Sequence, residues 1–308
     1  MKYVRLGLTD TYISCIGFGC AAMGGYDYGV VDDSESKAAV RKALELGLNF
    51  FDTADVYGLG HAEKILCEAL GSQRKEVLIA TKVGVRWDNQ GNTKRDLRPK
   101  TIVRALEESL RRLKLDCIPL YQVHWPDPST PIEETLETLN KCQDDGKIRY
   151  IGCCNFPFEL VEKAQKYSRL ESIQLPFSLA EKGFEDVITN TQKKYSMSVF
   201  CYNTLAHGLL TGKYGKNSEF EGTDLRRRAD HFHGEKLKEN LAIIERLKVV
   251  AKRCGKTPAQ VAIRWVLECP SASCAITGIK TSKQVQDNCG SVDWQFSKED
   301  YESLRNLS

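Results

Sequence analysis

Long apolar runs are missing from this chain: no stretch of its 308 residues approaches the ~20 that a helix needs to cross a bilayer, so a helical membrane protein is excluded. The start, MKYVRLGLTD, lacks the apolar core of a secretory leader, and the expected location is the cytoplasm. An excess of one charge is missing too. Lys and Arg total 44 against 41 Asp and Glu, and a net +3 gives no general attraction to nucleic acid or to an anionic membrane. The expected partner is therefore a small molecule. Paired-cysteine spacing is absent although cysteine is abundant. Of twelve cysteines, Cys153 and Cys154 are adjacent, four residues separate Cys15 from Cys20 and Cys269 from Cys274, and nothing reads CxxC with a second pair or a histidine cluster. Cys67, Cys117, Cys201 and Cys274 lie in apolar stretches, where a reduced thiol behaves as a small hydrophobe, so neither a metal centre nor a disulfide framework is expected. No Ser/Pro-rich linker interrupts the chain, and 1–308 reads as one domain.

What is present is an alternation. Eight apolar runs read as strands, at 13–19, 48–52, 76–81, 117–123, 147–153, 172–175, 198–202 and 273–277. Helical patterns at 36–46, 62–70, 101–113, 132–142, 158–166, 184–194 and 281–289 stand between or after them. This order predicts an α/β fold, a (β/α)8 TIM barrel with extra helices between strands 7 and 8 (236–254 and 257–268) and at the C-terminus (298–307). One of the extra helices must lie outside the simple repeat. A doubly wound sheet is the alternative, but the first strand ends FGCAAMGG rather than in GxGxxG leading into a helix. Pro119 conflicts locally with the fourth strand, which is expected either to begin after it or to bulge.

In a parallel barrel all strand C-termini open onto one face, so residues just past the apolar runs share a mouth. The second run ends in Asp52, the third leads to Lys82 and the fourth to His124, while Tyr57 follows in the loop that turns at Gly58 and Gly60. An ammonium beside a phenol stabilises the phenolate and lowers its pKa, so Lys82 is expected to tune Tyr57 as a general acid, with Asp52 as the counter-ion of the lysine. His124 would orient a substrate oxygen beside the tyrosine. The quartet suits proton transfer to a carbonyl, with no nucleophile and no metal. A strand-end lysine also allows a Schiff-base lyase built on Lys82. A glycosidase pair of Asp52 and Asp55 is disfavoured, because residues three apart at a strand end point to opposite faces, and Asp55 reads as a loop residue.

NFFDTADVYG, VLIATKVG, LYQVHWPDP, GKIRYIGCCNF, LAHGLLTGKY and GIKTSKQVQDN stand in an order that resembles the aldo-keto reductase family, over essentially the whole chain. The resemblance implies hydride exchange between a nicotinamide cofactor and an aldehyde, ketone or sugar-like alcohol, with the tetrad Asp52, Tyr57, Lys82 and His124 and with Tyr57 as proton donor. It implies that Asn155 and Gln174 hold the nicotinamide carboxamide and that Tyr202 stacks on the ring. Leu205, Gly208 and Lys213 then fold over the pyrophosphate, and Gly278, Lys280, Gln284, Asp287 and Asn288 surround the adenosine end. NADP(H) is favoured over NAD(H), with Lys280 compensating for Gln284 where many relatives carry arginine. Cys154 in place of serine, and Asn203 and Thr204 after strand seven, depart from the family pattern. The run Arg226 to Arg228 either reaches phosphate or, as the favoured reading, forms a solvated basic face. Trp87, Trp125, Met23, Tyr26 and Tyr28 are substrate-side candidates that equally suit loop anchors. Some members of the superfamily are non-catalytic nucleotide-sensing subunits, a reading that the intact tetrad opposes.

Overall fold

The computed structural model describes residues 1–307 apart from Tyr26, Val30, Asn89 and Thr223. Eight parallel strands close into a barrel: β1 (Ile16–Gly19), β2 (Phe50–Asp52), β3 (Leu78–Val83), β4 (Ile118–Val123), β5 (Ile148–Cys154), β6 (Ser172–Pro176), β7 (Ser198–Tyr202) and β8 (Cys274–Gly278). They pair in chain order, and β8 returns to β1 through Ala275–Ile16 to Gly278–Gly19. β1 and β3 are buried along their whole length, which is why these segments read as unbroken apolar runs instead of alternating ones.

Inside the barrel Phe50, Leu78, Ala80, Leu120, Phe200, Cys274 and Ile276 fill the core, with the Phe50 and Phe200 rings 4.8 Å apart. Leu6 and Ile13 complete it from below. They belong to a hairpin, Tyr3–Arg5 with Tyr12–Ser14, that caps the N-terminal end of the barrel. The expected first strand, 13–19, is thus two elements. Cys15 donates its N–H to Lys2 O at 2.9 Å and Ser14 Oγ donates to Ile16 O at 2.7 Å, so the chain leaves the hairpin before it joins the barrel.

Pro119 does lie inside β4, with neither a later start nor a break at that point. Ile118 donates its N–H to Lys147 O, at 2.9 Å on the β5 side, so alternation turns the Pro119 nitrogen toward β3. The register with β3 begins one residue later, at Ala80–Leu120, and no ladder donor is lost.

The helices run α1 (Asp33–Glu45), α2 (His61–Leu70), α3 (Pro99–Leu113), α4 (Ile132–Asp144), α5 (Phe158–Ala164), α6 (Glu185–Tyr195), α7 (Gly234–Cys254), α8 (Pro258–Leu267), α9 (Ser282–Cys289) and α10 (Lys298–Arg305). Capping explains several starts. Asp32 accepts from Ser34 N at 2.7 Å ahead of α1, and Thr257 with Gln260 closes a capping box ahead of α8. The α8 helix packs on β8 and α9 and takes the place of the repeat's seventh helix, whereas α7 packs on α8 and α10. It is therefore α7 that lies outside the repeat. No helix among the described residues is long and apolar enough to cross a membrane.

Candidate active site

Asp52 closes β2, Lys82 lies near the end of β3, and His124 follows β4 with its N–H on Val83 O at 2.9 Å. The barrel register therefore delivers an acid, an amine and an imidazole from three neighbouring strands. Tyr57 arrives on the loop after β2, which turns through left-handed backbone at Gly58, Leu59 and Gly60. Gly58 is needed for a second reason: a Cβ built there would stand 2.3 Å from Gly24 O, so the Tyr57 loop presses backbone to backbone on the loop after β1.

Lys82 organises the group. Its buried Nζ donates to both carboxylate oxygens of Asp52 at 2.8 Å, to Thr53 O at 2.9 Å and to Tyr57 Oη at 3.2 Å. Burial disfavours the ammonium, but Asp52 first and Tyr57 next outweigh it, so Lys82 stays charged beyond its ordinary range. For Tyr57 the balance differs from the expectation of a lowered pKa. Burial is the largest influence and raises the phenol; Lys82 pulls it down, Asp52 pushes it up, and the net direction is upward. Tyr57 is therefore a protonated phenol at neutral pH. His124, lowered by burial and then by Lys82, is a neutral imidazole, edge-on to the Tyr57 ring at 5.8 Å between centroids.

A cleft of about 770 Å³ runs across the C-terminal face of the barrel, and Asp52, Tyr57 and His124 open into it. Every residue expected at the cofactor lines this one cleft: Asn155, Gln174 and Tyr202 next to the quartet; Leu205, Gly208 and Lys213 on the loop after β7; and Gly278, Lys280, Gln284, Asp287 and Asn288 at the far end. Asn155 is already engaged, its Nδ2 on His124 O at 3.0 Å and its Oδ1 accepting from Tyr202 Oη at 2.9 Å. Cys154 Sγ donates to Gln174 Oε1 at 3.2 Å, while the buried Gln174 Nε2 has no partner. The thiol at the departing position thus orients Gln174. Gln284 closes a capping box at the start of α9, its Oε1 accepting from Lys280 N at 2.7 Å and Thr281 N at 3.2 Å.

On the substrate side, Trp125 lines the cleft with the Arg95 guanidinium 5.2 Å from its ring, and Tyr28 lines it too, its phenol pushed up to about 12 by burial and then by Asp27. Met23 is fully buried in the core and offers no surface to a substrate in this cleft. Trp87 faces a neighbouring groove, with the Arg86 guanidinium 4.8 Å from its ring. Tyr26 lies outside the described residues.

Sequence reasoning missed two parts of the wall. Asn92 and Thr93 enter the cleft from a hairpin, Val85–Trp87 with Thr93–Arg95, whose short, half-exposed or exposed strands give no apolar signal. Arg226 is no solvated base. Its side chain lines the cleft 16% exposed, gripped by Asp224 and Tyr214 with the Phe220 ring 4.4 Å away. The aromatics Tyr214, Phe220 and Phe232 around it were the available signal. Arg228 does reach solvent, 70% exposed, and pairs with Asp27 at 2.7 Å.

The model of the aldo/keto reductase family matches residues 15–308. The aldo-keto reductase YhdN of Bacillus subtilis is 36% identical, with 100% of this chain and 93% of that protein covered. The aldo-keto reductase yakc [NADP(+)] of Schizosaccharomyces pombe is 31% identical over 95% of this chain and 88% of its own. Among solved structures, the glycerol dehydrogenase AKR11B4 of Gluconobacter oxydans superposes with a TM-score of 0.90 at 34% identity, covering 99% of this chain and 94% of that one. A family match across nearly the whole chain, together with relatives of this identity and coverage, makes the protein an oxidoreductase of the aldo/keto reductase family.

Proposed function

We propose that the chain exchanges hydride between NADP(H) and a small aldehyde, ketone or alcohol, with Tyr57 as general acid in reduction and general base in oxidation. The observation that carries this reading is the four-way grip on Lys82 Nζ, which sets an ammonium 3.2 Å from Tyr57 Oη. As a carbonyl oxygen gains negative charge, Tyr57 gives it a proton, and Lys82 then faces the phenolate that remains. Asp52 keeps the ammonium charged and in place. Neutral His124 shares the same oxygen as a second hydrogen-bond donor.

The residues present fit a nicotinamide dinucleotide. Gln174 Nε2 is a buried donor without a partner beside the quartet, and Tyr202 offers a flat face next to it. At the far end Lys280 is pulled below its ordinary value by burial and then by Arg226 and Lys213, a crowding of cations that an extra phosphate relieves. Lys213, Arg226 and Lys280 would hold the phosphates; the bound cofactor would supply or accept the hydride. The NADP(+) in the name of the fission-yeast relative and the alcohol in that of the Gluconobacter enzyme agree with this reading. A Schiff base on Lys82 is disfavoured, since an ammonium bonded to both Asp52 oxygens has no lone pair to attack with. The small-molecule partner and a cytoplasmic location belong to the same proposal.

The test follows NADPH and NADH absorbance against a panel of aldehydes, ketones and sugars. The expected result is turnover with kcat/KM at least about tenfold higher for NADPH, a margin that Lys280→Met reduces, because a lost charge-assisted contact is worth roughly 1.5–3 kcal/mol. NADPH binding without turnover on any carbonyl would favour the nucleotide-sensing subunit instead.

A further inference from the structure

The loop that carries Tyr57 is tethered by a buried aspartic acid–arginine contact outside the tetrad. Asp55, two positions before Tyr57, is fully buried instead of being an ordinary loop residue, and Arg86 Nη1 reaches its Oδ2 at 3.5 Å. Arg86 belongs to the hairpin that puts Asn92 and Thr93 into the cleft wall. Its Nη2 donates to Glu108 Oε2 on α3 at 3.3 Å, and its guanidinium lies over Trp87. A second pair runs alongside, Arg112 Nε to Glu63 Oε2 at 2.5 Å, with Thr81 Oγ1 on Glu63 Oε1 at 2.6 Å. The two guanidinium groups therefore serve three carboxyl groups, and Arg86 is the one guanidinium within reach of Asp55 among the described residues. Buried this deep, the Asp55 carboxyl keeps its proton at neutral pH, and the Arg86 guanidinium holds it by a charge-assisted hydrogen bond to Oδ2.

We propose that Asp55 and Arg86 are a positioning pair that locks the Tyr57 loop to the hairpin on the substrate side of the cleft. The pair keeps Tyr57 Oη against Lys82 while a carbonyl docks along the hairpin. Neither residue touches the reacting atoms; both act through Tyr57. The inference rests on Tyr57 being the proton donor, and a displacement of such a group by an ångström costs on the order of a hundredfold in rate.

Hydrogen exchange of residues 53–60 and NADPH-dependent carbonyl reduction are measured together in the wild type, Arg86→Met, Arg86→Lys and Asp55→Asn. In Arg86→Met, exchange in this segment is expected to rise and kcat to fall, each by about tenfold or more, while the NADPH Kd stays within about twofold. Asp55→Asn keeps a carbonyl oxygen for Arg86, so both readouts stay within about threefold of the wild type. Unchanged exchange and kcat in Arg86→Met overturn the proposal. So does a fall in kcat accompanied by an equal loss of NADPH affinity or by faster exchange throughout the barrel, which marks a purely structural role. Should Arg86→Met not fold, Arg86→Lys, which lacks the fork that reaches Asp55 and Glu108 together, shows the same pattern at smaller amplitude or overturns the proposal by lacking it. A wild type without turnover, in which Arg86→Met still loosens residues 53–60, preserves the tether and sinks the reductase reading instead.

Discussion

At Asp55, burial first and the Glu63 carboxylate second push the acid up to about 8, against the opposing pull of Arg86 and Arg112. The unfolded chain releases this proton near the ordinary value of 3.8, whereas the folded chain keeps it. The folded state therefore binds more protons between the two values; its stability is fully present below about pH 4 and declines as the pH rises through about 8. Asp55→Asn cannot ionise. Its thermal midpoint relative to the wild type should climb from pH 5 to pH 9, in contrast to the pH-independent difference expected if Asp55 were solvated. Asp55 also shows where residue-level reading stops. Asp52, Lys82 and His124 were legible because strand ends of a parallel barrel share one face, and Tyr57 because a glycine turn returns it there. The burial of Asp55 depends on Arg86, Glu63 and Arg112 arriving from three other elements, and spacing along one loop carries no trace of them.

At the scale of elements, the loops after β1 and β2 meet at Gly24 and Gly58. A Cβ at Gly58 would stand 2.3 Å from Gly24 O, and its φ of +59° already disfavours a side chain. Gly58→Ala should part the two loops and lower kcat by about tenfold or more while leaving the barrel folded, because steric relief moves Tyr57 and not the strands. Kinetics with far-ultraviolet circular dichroism on the same sample check this; an unaltered kcat would show that the contact does not position Tyr57. Among the described residues, the eight barrel strands and the ten helices named above were legible because continuous apolar runs and amphipathic stretches carry strong periods. The two hairpins were not. Tyr3–Arg5 with Tyr12–Ser14 merged with the run that becomes β1, and Val85–Trp87 with Thr93–Arg95 is held by paired backbone and a flanking ion network instead of an apolar face.

Across the whole molecule, barrel closure is what turns scattered polar residues into one site. Asp52 and Gly278 are more than two hundred positions apart, yet β2 and β8 both flank β1, and one cleft joins the quartet to the cationic end at Lys213, Arg226 and Lys280. The residues expected at the cofactor came from family motifs and not from physical pattern: nothing about Gln174 or Asn288 alone marks them, and Arg226 was misread because its neighbours in space are distant loop aromatics. The central claim is that the Lys82-held phenol of Tyr57 moves the proton. It is tested most directly by single-turnover NADPH oxidation at saturating aldehyde in Tyr57→Phe, with the NADPH Kd measured beside it. Removing one general acid predicts a rate loss of roughly 10²–10⁴ with cofactor affinity retained; a rate undiminished in the variant contradicts the account.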